Sequence, residues 1–205
     1  MLVARNIKAQ MMKRLACCIS LTLVAMWCVA PPAQAGEDYA AAGIALVARH
    51  ENADLILLAR HHSRSWYEMP GGRRKSADDT GSANVEHDET AYDTAIRECY
   101  EESRGFLRPE LLRKIVDPAR SLRDGGFVYF VAKIDWFALS ELPAESDSDH
   151  ENMHAFHEIV DYAWVPVTNI INSKDGTAVD STGRRLEIRR QLKRRLIHAG
   201  TAGFL

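Results

Sequence analysis

Three carboxylates, Glu98, Glu101 and Glu102, fall within five residues of the stretch Arg97-Glu98-Cys99-Tyr100-Glu101-Glu102. On an α-helix, residues three and four apart share a face, so the three acids meet on a patch about one turn long. Like charges this close repel, and the pattern calls for a positive group among them. A hard divalent cation that prefers oxygen ligands, Mg²⁺ or Mn²⁺, suits three carboxylates. The competing reading is a solvated acidic face balanced by Arg97 and nearby basic residues.

The flanks must supply the helix that positions these acids. No Pro or Gly interrupts Glu89 to Ser103, and Ala91, Ala95, Ile96 and Cys99 recur at helical spacing on the opposite side. Asp88 or Thr90 suits the N-cap, and Gly105 suits the left-handed residue that ends many helices. Ala42–His50 and Asp54–His61 read as the two strands of a hairpin joined near Glu51-Asn52-Ala53. A Pro70-Gly71-Gly72 turn follows Trp66-Tyr67-Glu68-Met69. Phe127–Ala132 is an apolar run suited to a buried central strand, and His157–Pro166 is a later strand.

Gly72, Glu89, Arg97, Glu98, Glu101, Glu102 and Gly105 fall in the order of the Nudix hydrolase signature, G-x5-E-x7-R-E-U-x-E-E-x-G-U, which this stretch resembles. The gap of seven residues between Glu89 and Arg97 matches the signature. Two departures stand out. Sixteen residues separate Gly72 from Glu89 where the signature has five, and Ser103 and Arg104 precede Gly105 where it allows one residue. The hairpin, the Trp-x-x-x-Pro-Gly-Gly turn and the late Trp164-Val165-Pro166 strand resemble the family beyond the box. The resemblance implies an α/β fold, a Nudix-type α/β/α sandwich with a mixed β-sheet. It also implies water attack on a diphosphate linkage in a nucleoside diphosphate-linked or related pyrophosphate compound.

By the same resemblance, Glu98, Glu101, Glu102 and the Gly72 carbonyl are expected to hold Mg²⁺ or Mn²⁺. Glu98 doubles as a candidate general base, and Arg97 is expected to clamp the carboxylates. A bound cation lowers the pKa of water and neutralises phosphate oxygens. Candidates for a further acid are Glu145, Glu151 and Glu158, with Glu158 favoured. Arg64, with His61 and His62, precedes the Gly-Gly turn and could reach substrate phosphates; these residues could equally be solvated. Trp66 and Tyr67 could stack on a nucleobase or simply pack. His150, His154 and His157 have spacing for a transition-metal site that this chemistry does not need. The stretches 73–88 and 145–157 are the expected substrate selectors. The alternative to an enzyme is a non-catalytic Nudix-fold ligand-binding module, which usually lacks box carboxylates that are intact here.

Residues 1–35 read as a signal peptide, and 36–205 as the Nudix domain with a C-terminal basic helix. Arg5, Lys8, Lys13 and Arg14 precede an apolar run of 16 residues, Leu15–Ala30, followed by Pro31-Pro32 and Ala33-Gln34-Ala35. The run is short for a membrane span, so export after cleavage near Ala35 is expected, with an uncleaved anchor as the alternative. Removing the leader leaves 22 basic and 28 acidic residues. That mildly acidic balance gives no basis for a nucleic-acid partner. Cys99 is then the one cysteine left, and it reads as buried and inert. Near the C-terminus, Ile188, Leu192 and Leu196 mark the basic amphipathic helix, expected to be capped by Ser181 or Thr182. Docking on the sheet is its default role, and contact with an anionic surface or polyphosphate is the alternative.

Overall fold

The structure is a computed structural model that describes residues 39–75, 89–144 and 158–205. The leader, most of the insertion (76–88) and the acid- and histidine-rich stretch 145–157 lie outside the described residues. With them lie Glu145, Glu151, His150, His154 and His157.

Strand β1 (Ala41–His50) and strand β2 (Ala53–His61) form the expected hairpin. His50 pairs with Ala53, so Glu51 and Asn52 make the turn, and Glu51 takes a φ of 52°. Strand β3 (Gly71–Arg73) pairs antiparallel with the first residues of β1. After helix α1 (Ala91–Glu102) and helix α2 (Pro109–Ile115) come β4 (Ser121–Asp124) and β5 (Phe127–Ile134). Strand β5 runs parallel to β1 and lies between β1 and β4. Strand β6 (Ile159–Pro166) closes the other edge against β2. Among the described residues the sheet order is β4-β5-β1-β2-β6, with β3 beside β1. The sheet is therefore mixed.

Period-two alternation splits each central strand between two cores. Ile44, Leu46, Ala48, Leu55, Leu57 and Phe130 face α1 and α2, meeting Ala91, Ala95, Ile96, Cys99 and Leu112. Ala45, Ile56, Leu58, Tyr129 and Val165 face the other way. There they meet α3 (Val167–Ile171) and α4 (Arg190–Thr201) through Ile170, Leu192, Leu196 and Ala199. A sheet covered on both faces needs near-continuous apolar strands, and β1 supplies one. This is the α/β/α sandwich with a mixed β-sheet. The small residues of α1 let its backbone lie close on β1, which holds the acidic face at a fixed height.

One expectation is overturned. Neither Ser181 nor Thr182 caps the last helix. The carboxylate of Asp180 instead gathers a turn, accepting from the Thr182 N–H, the Thr182 hydroxyl and the Arg184 N–H at 2.7–2.9 Å. That turn joins β7 (Thr177–Val179) to β8 (Arg185–Glu187) in a separate antiparallel pair. Leu186 and Ile188 are buried while Arg185 and Glu187 are exposed, which is strand periodicity. Ile188 therefore belongs to this hairpin's apolar face. Helix α4 begins two residues later, with Arg189 at its N-cap and no side chain capping it. It docks on the sheet, as expected.

Candidate active site

Helix α1 starts where Thr90 accepts a hydrogen bond from the Asp93 N–H at 3.1 Å, one of the two caps expected. Its far end is less usual. Ser103 is the C-cap, and both Arg104 (φ 53°) and Gly105 (φ 78°) are left-handed. The extra residue before Gly105 thus takes a conformation that costs a non-glycine residue about 1–3 kcal/mol. Arg104 is held in place. Its guanidinium donates to the carbonyls of Pro143 and Ile159 and lies 5.5 Å from the Tyr162 ring centre. This ties the end of α1 to the start of β6.

Arg97 occupies the middle of the acidic face. Its Nε and Nη2 donate to the two oxygens of Glu89 at 2.7 and 3.1 Å. Its Nη1 donates to Glu98 at 2.7 Å and Glu101 at 2.8 Å, and Nη2 also reaches the Arg73 carbonyl at 3.0 Å. Forked pairing of this kind fixes orientation as well as charge. Burial alone would lower the Arg97 pKa, but the three carboxylates outweigh it and the net shift is upward. Burial also pushes against the charge on Glu89, yet its bonds from Arg97, the Lys75 N–H and Thr94 win, and its carboxyl lies below the usual value. The positive group among the acids is thus supplied by the chain itself.

Glu102 stands apart. It is 9 % exposed, and its carboxylate accepts from the Gly71 N–H at 3.0 Å. Burial raises its pKa well above the ordinary carboxyl value, and the nearby charge of Glu98 raises it further. Glu98 is likewise raised, chiefly by burial. Among the described residues, no three His, Cys, Asp or Glu side chains converge as a ready-made metal group. The cause is visible: Glu98 and Glu101 turn to Arg97, while Glu102 turns to β3.

Gly72 lies against this cluster despite the insertion that separates it from α1 in sequence. A Cβ at position 72 would meet the Glu98 carboxylate, so any side chain there would have to push that carboxylate aside. The all-oxygen donor set of Glu98, Glu101, Glu102 and the Gly72 carbonyl suits a hard divalent cation. Two desolvated carboxylates whose charge is disfavoured are also what such a cation would relieve.

The remaining candidates divide. Arg64 and Glu158 both lie within electrostatic reach of Glu102. Arg64 is ion-paired with Glu68, and the exposed Glu158 carboxylate is 2.9 Å from His61 Nε2. Tyr67 is buried and donates its hydroxyl to Asp161, so it is a packing residue. Cys99 is fully buried and its thiol pKa is raised by that burial, in line with an inert role. The linear pattern gave no sign of a second layer around Glu89. Tyr39 donates to the Glu89 carbonyl at 2.6 Å and contacts the Thr94 hydroxyl at 2.8 Å, and Thr94 donates to Glu89 at 2.9 Å. Tyr39 is 50 residues from Glu89, beyond any local spacing rule.

The sequence pattern of the NUDIX domain matches residues 38–182, well over half of the chain. No curated protein matches it. Among solved structures, a C. elegans Ap4A hydrolase in a binary complex is similar at 15% identity, with a TM-score of 0.45, over 80% of this chain and 98% of that one. The NUDIX domain of Shewanella oneidensis NrtR, complexed with ADP ribose, is similar at 13% identity and a TM-score of 0.44, over 80% of this chain and 88% of that one. RenU, a Nudix hydrolase from M. smegmatis, is similar at 15% identity and a TM-score of 0.39, with the same coverage of 80% and 88%. The chain belongs to the Nudix family. Its chemistry is that of a Nudix pyrophosphohydrolase.

Proposed function

We propose that this protein is a Mg²⁺- or Mn²⁺-dependent hydrolase that cleaves a diphosphate linkage in a nucleoside diphosphate-linked or related pyrophosphate compound. One observation carries the reading: Arg97 ties Glu89, just before α1, to Glu98 and Glu101 on the helix, against Gly72 and beside the buried Glu102. Glu98, Glu101, Glu102 and the Gly72 carbonyl are the residues that would hold the cation. When bound, it would lower the pKa of water and offset phosphate charge.

The chain's own groups do the rest. Arg97 holds Glu98 and Glu101 side by side, and a bound cation would draw their free oxygens and Glu102 together. Burial holds the Glu98 carboxyl above its ordinary pKa, which makes its carboxylate a better proton acceptor. Glu98 would take the proton of the attacking water at a carboxylate oxygen. Arg64 would face a substrate phosphate from the Gly-Gly side, and Glu158 with His61 would border the site from the β6 side. The leader supports export of the protein, by cleavage near Ala35, to a compartment outside the cytoplasm where the substrate is then found. An N-terminal sequence of the protein recovered from its cells tests this: a chain beginning at Met1 and staying in the cytoplasm refutes it.

The test of activity is a screen of pyrophosphate compounds with Mg²⁺ or Mn²⁺, with Glu98→Gln and Glu102→Gln beside the wild type. Turnover that needs added metal and falls about 10²–10⁴-fold in Glu98→Gln is the expected result. A wild type that binds pyrophosphate ligands yet never cleaves one sinks the enzyme reading in favour of a binding module.

A further inference from the structure

Two clefts adjoin on the α4 side of the sheet, away from the acidic helix. One, of about 350 Å³, lies between Trp66 and the residues Glu187–Gln191. The other, of about 320 Å³, lies between Ser173–Gly176 and Ile188–Arg190, with Lys193. Ile188, Arg189 and Arg190 form their common wall. Each is large enough for a small-molecule group.

Their lining is cationic and under-satisfied. Further along α4, Arg194 and Arg195 both pair with Asp124. Around the clefts, Arg190 and Lys174 have no acid or carbonyl partner among the described residues. Lys193 donates to the Ser173 carbonyl at 2.7 Å. Of the two acids in the lining, Asp175 is held by Arg185 and Thr177, and Glu187 is exposed on its strand. Trp66 forms one wall of the first cleft, with its indole N–H shut away from solvent. Helix α4 begins at this wall, at Arg190, without a side-chain cap. The shared arginine also has a link to the other face. Glu68, 12 % exposed, holds Arg189 on one carboxylate oxygen and Arg64 on the other.

We infer that this pair of clefts is a phosphoryl-binding site, formed by Arg190, Arg189 and Lys174 and separate from the carboxylates of α1. Two sources could fill it, a distal phosphate of the substrate or free inorganic phosphate. Acids dominate α1, so without a metal that helix repels anions, and loss of binding in a variant of the cleft cations assigns bound phosphate to the clefts.

The experiment is calorimetric titration of the full chain with inorganic phosphate, in EDTA at constant ionic strength. Saturable binding is expected, weakened at least tenfold in the Arg190→Glu/Lys174→Glu double variant and unchanged in Arg49→Glu, whose arginine lies on the β1–β2 hairpin. Thermal melts check that each variant folds. No saturable binding, or equal binding by wild type and double variant, overturns the inference; so does equal weakening by Arg49→Glu. The binding arm needs no turnover, so it can fail while hydrolysis stands, and the reverse. Where hydrolysis is measured, phosphate that raises KM in the wild type and not in the double variant identifies the substrate's distal group. A phosphate effect on kcat lost in the same variant identifies free phosphate.

Discussion

Helices α1 and α4 each hold one arginine against carboxylates, and the pKa values of the two arginines shift in opposite directions. Arg97 on α1 faces Glu89, Glu98 and Glu101, and its pKa is raised. Arg195 on α4 is 5 % exposed, with Asp124 at 3.0 Å and Phe127 beneath it at 3.8 Å, and burial lowers its pKa. The lesson lies in the count of carboxylates. Asp124 is shared between Arg194 and Arg195, so the α4 cluster has cations to spare. At α1, Glu89, Glu98 and Glu101 share the Arg97 guanidinium, with Lys75 3.5 Å from Glu101, and a fourth acid, Glu102, has no cation bonded to it. A fold seeking stability alone has no use for that surplus of negative charge. It is where function was placed.

Arg97→Ala should have the largest effect. Removing one partner from a buried ionic cluster leaves uncompensated charge and typically costs about 3–5 kcal/mol. Urea unfolding in EDTA should register a loss near that size, and divalent metal should recover part of it, since the freed carboxylates then share a cation. A loss below about 1 kcal/mol would mean that the web is solvated and that Arg97 clamps nothing. Asp124→Ala should cost less, about 1–3 kcal/mol. The Arg195 side chain keeps its stack on Phe127, and its backbone carbonyl still accepts from the Tyr129 hydroxyl at 3.1 Å. Arg195→Met should be close to neutral, because an apolar replacement has no desolvation to overcome.

Glu89, just before α1, and Glu102, at its end, also differ, and pH separates them. The Glu89 carboxyl lies below its ordinary value in the folded chain. Its stabilisation is therefore fully present above the unfolded pKa, about 4.5, and is lost as pH falls through the folded value. Glu102 is raised, chiefly by burial. Its contribution is favourable at low pH and is lost as pH rises through that raised value, so at pH 7 the charged form is a burden. In metal-free buffer at pH 7, Glu102→Gln should raise Tm and Glu89→Gln should lower it, each by roughly 2–4 °C, the scale of about 1 kcal/mol for a chain this long. Near pH 4 both differences should shrink. A Glu102→Gln gain that persists at pH 4 would assign the effect to packing and not to charge.

Much of this was legible in the chain. The spacing of Glu98, Glu101 and Glu102 requires a helix to be useful, and the small residues Ala91, Ala95 and Cys99 say which face lies on the sheet. The hairpin and the strands around Phe127 and Trp164 follow from apolar periodicity. What spacing could not reveal is contact across long separations. Tyr39 on Glu89, Gly71 on Glu102 and Gly72 against Glu98 depend on how β3 returns to β1 after the turn. Arg97 was read as a clamp, but its central place, held by Glu89 and the Arg73 carbonyl as well, is a tertiary fact. The stretch before α4 was misread because a basic, Leu- and Ile-containing run fits both periods over so few residues. The turn at Asp180 and the burial of Leu186 and Ile188 decided for a strand.

The smallest expected effect concerns how the two helices begin. Thr90 caps α1 through the Asp93 N–H, and its hydroxyl also donates to the Asp93 carboxylate at 2.6 Å. Thr90→Ala should therefore cost about 1 kcal/mol, and Thr90→Gly only a few tenths. Arg189, at the same position on α4, caps nothing with its side chain. Arg189→Ala should remove only the half-exposed pair with Glu68, worth about 0–1 kcal/mol. Chemical denaturation of the four proteins in parallel tests the contrast. If Thr90→Ala is silent, α1 is held by its packing on β1 and by Arg97 alone. The acidic face would then be positioned from its middle and not from its start.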